Sequence, residues 1–81
     1  MLITRVTIGT KIIVGSKDFS ITEGCGSAHI HWSDGEEFEM RNGDSFGRIV
    51  DGMRVKVEVK DLRSNQVELC IIAPKELSIE W

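Results

Sequence analysis

Proline is almost absent from this chain of 81 residues, with Pro74 alone, and tyrosine is missing altogether. No stretch is rich in proline or serine or low in complexity, which excludes a linker and a second domain and leaves one small domain over residues 1–81. No apolar run approaches the roughly 20 residues that cross a bilayer, and no charged head followed by an apolar segment marks a secretion signal. The two cysteines, Cys25 and Cys70, lack the close spacing of a zinc site and read as reduced thiols of a cytoplasmic protein. Histidine is equally scarce: His29 and His31 sit at a spacing compatible with a metal, but no confident third ligand accompanies them. There is no nucleophile elbow, no phosphate loop and no recognisable pair of catalytic carboxylates. Neither an enzyme nor a cofactor is expected.

What the chain does have is acid in its middle. Residues 1–22 carry Arg5, Lys11 and Lys17 against Asp18, whereas residues 23–54 carry seven carboxylates against Arg41, Arg48 and Arg54, within a total net charge of −3. Nucleic-acid binders gain much of their affinity by neutralising phosphates, so this segment argues against a broad RNA-binding surface and leaves room for a narrow one.

Strand patterning runs from end to end. Val55, Val57 and Val59 alternate with Lys56, Glu58 and Lys60, and Val67, Leu69 and Ile71 alternate after the polar break Asp61 to Asn65. Leu77, Ile79 and Trp81 give a third alternation beyond Pro74, which lacks an N–H and stops a ladder. Earlier strands are expected at Leu2 to Val6, Lys11 to Val14, Asp18 to Thr22, Ala28 to Trp32, Phe38 to Met40 and Phe46 to Val50, with Cys25 in a glycine-flanked loop. Ala28, Ile30 and Trp32 face one way, His29 and His31 the other. Asp34-Gly35, Asn42-Gly43 and Asp51-Gly52 supply residues that accept positive φ, as type I′ hairpins require. The expected fold is all-β: a small antiparallel sandwich or barrel of short hairpin-connected strands.

Asn65-Gln66-Val67, a short apolar run and then Ala73-Pro74-Lys75-Glu76-Leu77-Ser78-Ile79 resemble the carbon storage regulator (CsrA/RsmA) family, where a Gly-Asn-Gln-Val turn leads to a strand, an Ala-Pro-Lys-Glu corner and a Val-Ser-Val strand. Ser64 stands where that glycine usually is. Met1-Leu2-Ile3 with Gly9 and Gly15 resembles the family's opening strand and first hairpin more weakly. The resemblance implies a homodimer in which the first strand pairs with the last strand of the other subunit. It implies, too, that single-stranded RNA, typically a GGA in a hairpin loop, is held along those strands and that messages are regulated by occupancy. On this chain the implied contacts fall on Thr4, Arg5, Ala73, Pro74, Lys75, Ile79 and Trp81.

The family's arginines are where the pattern departs. Val6 takes the place of the first, so Arg5 substitutes only through a register slip or a bulge. Ile79-Glu80-Trp81 takes the place of the closing Val-His-Arg, and the family's C-terminal helix has no counterpart in these residues. Trp81 can stack on a base or, at strand period, serve as core. Between the two matched regions, Gly9 to Val14 with Phe19 to Thr22 aligns with Gly43 to Phe46, Ile49-Val50 and Val55 to Val59. Either a partial duplication lets one chain imitate the interlocked dimer, or hairpins with glycine turns share a composition. A second function stands beside RNA binding: the same fold engaging a basic protein through an acidic surface of Glu36, Glu37 and Glu39.

Overall fold

A computed structural model describes residues 1–81 and contains nine strands and no helix: β1 (Leu2–Thr7), β2 (Lys11–Val14), β3 (Lys17–Glu23), β4 (Ala28–Trp32), β5 (Glu37–Met40), β6 (Ser45–Val50), β7 (Met53–Leu62), β8 (Gln66–Ile72) and β9 (Ile79–Glu80). They form two antiparallel sheets, one ordered β1-β8-β7-β6 and the other β5-β4-β3-β2-β9. Period-two burial is what packs them: Val55, Val57 and Val59 of β7 and Val67, Leu69 and Ile71 of β8 turn inward from one sheet, Ile12, Val14, Phe19, Ile21, Ile30 and Trp32 from the other. These side chains belong to one cluster of 18 buried residues between the sheets. The chain is therefore a small all-β sandwich with a single core.

The sheets are related by an exchange of strands. Renaming β1 to β4 as β5 to β8, and the reverse, turns the order β1-β8-β7-β6 into β5-β4-β3-β2. Each half of the chain thus gives its first strand to the sheet built by the other half. Turn geometry repeats as well. The Gly9 N–H donates to Ile21 C=O at 2.8 Å and the Gly43 N–H to Val59 C=O at 2.8 Å, while Thr10 closes its turn on Thr7 at 3.0 Å and Asp44 on Arg41 at 2.9 Å. Gly9 and Gly43 both hold positive φ, 101° and 87°. The strand β9 breaks the correspondence: the first half has no fifth strand, and the turn Ser33 to Glu36 leads directly from β4 to β5.

Two expectations of local structure are corrected. Of the three turn dipeptides only Asp51-Gly52 has positive φ at both residues, 52° and 79°; at Gly35 and Gly43 the glycine alone does. Of these three turns only Asp51-Gly52 is a two-residue link between paired strands, where Val50 pairs with Met53, so among them only there must both turn residues match the strand twist. The last alternation shrinks to the two residues of β9, and Trp81 is 56% exposed instead of filling the core. Leu77 fills it in its place.

Candidate functional site

The two long sides of the sandwich differ. On one, Arg48 of β6 turns inward and lays its guanidinium over Trp32, 4.2 Å from the ring centroid. Asp34 and Glu36, from the turn ahead of β5, hold that guanidinium at 2.6 Å and 3.0 Å. Phe38 and Phe46 stack beneath with centroids 4.0 Å apart, so this side is sealed.

The other side is open. Here β1 pairs with β8 alone and β9 with β2 alone, which leaves the outer backbone edge of each strand without a strand partner. Between these edges runs a groove of about 320 Å³, lined by Met1 and Leu2 from the start of the chain and by Ile71, Ala73, Pro74, Lys75, Leu77, Ile79 and Trp81 from its end. Local chemistry shapes it. Pro74 ends the β8 ladder, the Leu77 N–H closes a turn on the Pro74 C=O at 3.0 Å, and Leu77 then drops its side chain into the core, lifting Ile79 and Trp81 to the rim. Gly15 at the tip of the β2–β3 hairpin donates to Ser78 C=O at 2.9 Å and ties the corner down.

Five of the seven residues named as RNA contacts, Ala73, Pro74, Lys75, Ile79 and Trp81, meet in this groove. Thr4 and Arg5 do not line it. The β1–β8 register is unbroken from Leu2 opposite Ile71 to Thr7 opposite Gln66, so no slip brings Arg5 to the inward face. Arg5 points outward, where Glu68 holds it at 3.3 Å and Asp61 lies at 3.8 Å. Asp61 reaches that position because β7 carries a bulge between Val59 and Asp61. Lys75 is exposed and makes no ion pair, so it is the groove's one free basic side chain.

The acidic run is spoken for. Glu36 binds Arg48, Glu37 binds His31 Nδ1 at 2.9 Å, and Glu39 binds His29 Nε2 at 3.0 Å and accepts from the Ser27 hydroxyl at 3.2 Å. His31 engages its other nitrogen with Thr22 Oγ1 at 2.9 Å. His29, His31, Glu37 and Glu39 form cross-strand pairs on the outer face of β4 and β5 with Thr22 of β3 beside them, exposed but mutually satisfied. A polar cleft of about 480 Å³ opens at the loop end of the sandwich between Gly24, Ser27, Arg41 and Arg63. Arg63 is drawn off by Asp61 at 2.9 Å, and Glu23 offsets charge on the wall.

Sequence patterning put Lys56 on the outer face of its strand but singled out neither it, nor Arg54 beside it, nor Arg48. Arg48 carried one signal, its place between Phe46 and Val50 at inward parity. No protein-family model matches the chain, nor does any curated protein or solved structure.

Proposed function

We propose that this chain is a non-catalytic RNA-binding domain similar to the carbon storage regulators, in which two halves of one chain stand for two subunits. A single-stranded segment lies in the groove between β1 and β9. The observation that carries the reading is convergence: the opening Met1-Leu2 and the corner Ala73-Pro74-Lys75, some seventy positions apart in sequence, share one groove beside two free strand edges and an exposed tryptophan. Unstacked bases suit such a site, since the apolar walls accept their faces and the free backbone groups of a strand edge bond their edges. Trp81 stacks on a base, a contact worth about 1–3 kcal/mol, and Lys75 neutralises a phosphate. No bond is made or broken; occupancy of a message regulates its translation. The exchange of strands supports the duplication reading and removes the need for a second copy, because both sheets are completed within one chain.

The test is fluorescence anisotropy of a labelled RNA hairpin displaying GGA, against a scrambled loop, at low and near-physiological salt. Binding that discriminates the loops, and that Trp81→Ala weakens roughly tenfold or more, supports the reading. No binding at low salt, where phosphate contacts are strongest, rejects it. One observation favours a second reading: most of the groove is apolar and Arg5 is already neutralised. An extended protein segment adding to the β1 edge would use the same groove without cations, and it becomes the working reading if RNA fails.

A further inference from the structure

Glycine in the middle of a strand needs a reason, and Gly47 of β6 has none in the packing. Its φ is not positive, and an added Cβ would meet nothing nearer than the Val55 carbonyl oxygen at 3.7 Å, an ordinary contact. A side chain would fit there and would spare the backbone entropy that glycine costs. What the missing side chain leaves is a hollow of about 440 Å³ on the outer face of the four-stranded sheet, bounded by Arg54, Lys56 and Ile72. A glycine inside a strand often marks a bulge, a tight bend or a place where another molecule comes close, and the β6–β7 register runs through Gly47 without a bulge.

Register joins this hollow to the groove. Leu2 pairs with Ile71, Lys56 with Ile72, and Gly47 with Lys56, so Met1, Ile72, Lys56 and Gly47 follow one another across the outer face. Met1 lines the groove, Ile72 the hollow, and both are exposed, at 83% and 43%. Charge points the same way. Of ten lysines and arginines, Arg5, Lys17, Arg48, Lys60 and Arg63 are paired with carboxylates. Three of the remaining five, Lys75, Lys56 and Arg54, border the groove or its continuation.

Resting on the RNA reading of the groove, we propose that the hollow at Gly47 is a phosphate track: RNA leaving the groove passes over Ile72 and sets two backbone phosphates against Lys56 and Arg54. This supplies, on the central β7, the cationic contacts that Arg5 cannot give. Polyanion binding here is independent of sequence, whereas the groove reads bases.

The test uses two RNAs with the same GGA core, one trimmed to about five nucleotides and one extended by about six uridines on each side, which together span the range of about 4–16 nucleotides of single-strand sites. The double variant Arg54→Ala with Lys56→Ala changes two exposed side chains, and its fold is checked by circular dichroism. For the long RNA, the slope of log affinity against log salt should fall by about 1.4, at about 0.7 per lost single-strand phosphate contact, and be unchanged for the short one. Gly47→Thr should weaken the long RNA alone. If the double variant keeps the wild-type slope on the long RNA while Trp81→Ala weakens both RNAs, the track is overturned and the groove stands. If wild-type protein binds neither RNA, the groove reading fails and the track fails with it.

Discussion

Arg48 lies over Trp32, its guanidinium carbon 4.2 Å from the ring centroid, and two carboxylates from the turn before β5 clamp its edge. The pair closes the side of the sandwich where the first half of the chain has no counterpart of β9. A cation is tolerated there, its side chain only 10% exposed, because the ring faces it and Asp34 and Glu36 bond its two terminal nitrogens, which offsets the cost of an Nε buried without a partner. Arg48→Ala therefore loses packing and leaves two acids facing each other across the turn. A loss of roughly 2–3 kcal/mol of stability is expected, read as a lower urea midpoint. A midpoint unchanged from wild type would mean that the aromatic core alone holds this side.

Acid should loosen the fold through the same clamp. The Arg48 guanidinium, assisted by the Glu36 N–H, lowers the Asp34 pKa from 3.8 to about 2. The Ser16 hydroxyl and N–H likewise hold Asp51 below the usual carboxylate value. A depressed folded-state pKa gives stability that is complete above the unfolded value near 4 and is lost as pH falls through the folded value. Urea midpoints should thus drop between about pH 4 and pH 2. In Arg48→Met the drop should be shallower, because Asp34 then has no cation to lose. An equal drop in both proteins would assign acid sensitivity to other groups.

Strands were legible in the sequence because alternation reports which face is buried: β4 and Val55 to Val59 of β7 follow it residue by residue, and Val67, Leu69 and Ile71 of β8 follow it with Cys70 buried among them at the opposite parity. Neighbours were not, since Leu2 to Thr7 carry no mark that selects β8 as their partner from the far end of the chain. Arg48 escaped because a charge at inward parity reads as a break in the pattern unless its carboxylates, fourteen and twelve positions earlier, are seen beside it. Trp81 misled for the opposite reason. Its parity with Leu77 and Ile79 is right, but the corner at Pro74 leaves β9 only two residues long, and the tryptophan lies beyond it.

Trp81→Ala separates the two roles offered for that ring. With more than half of its surface in water and no strand around it, its loss should change stability by no more than about 0.5 kcal/mol. Thermal denaturation decides: a Tm lowered by many degrees would return Trp81 to the core and remove it from the groove.

Gly15→Ala should act on the groove from the far side of the corner. Gly15 holds φ at 59°, and an added Cβ would press on the Asp51 carboxylate and lie 2.6 Å from Leu77 Cδ2. Asp51 accepts from the Ser16 N–H at 2.9 Å, so this point joins the β2–β3 hairpin, the β6–β7 hairpin and the Leu77 plug. A loss of roughly 1–3 kcal/mol is expected from strain and displacement together. Because the Gly15 N–H also anchors Ser78, amide exchange at Ile79 and Glu80 should quicken more than exchange in β7. Uniform quickening would show that the turn does not position β9.

The exchange of first strands makes its own prediction about folding. Fragment 1–35 contains β1 to β4, yet β1 finds its partner in β8; fragment 36–81 contains β8, yet β5 finds its partner in β4. Apart, residues 1–35 hold only the β2–β3–β4 meander, with one face of Ile12, Phe19, Ile21, Ile30 and Trp32 and nothing to bury it against. A chain of this length whose one apolar face is left in water buries too little surface to fold alone. Fragment 1–35 alone should therefore lack strand signal in far-ultraviolet circular dichroism. An equimolar mixture with 36–81 should restore the spectrum of the intact chain, since all inter-sheet contacts are then available and only the Gly35–Glu36 bond is missing. Strand signal from monomeric 1–35 would mean that its meander is stable without the other sheet, and that the exchange is a consequence of folding instead of a condition for it.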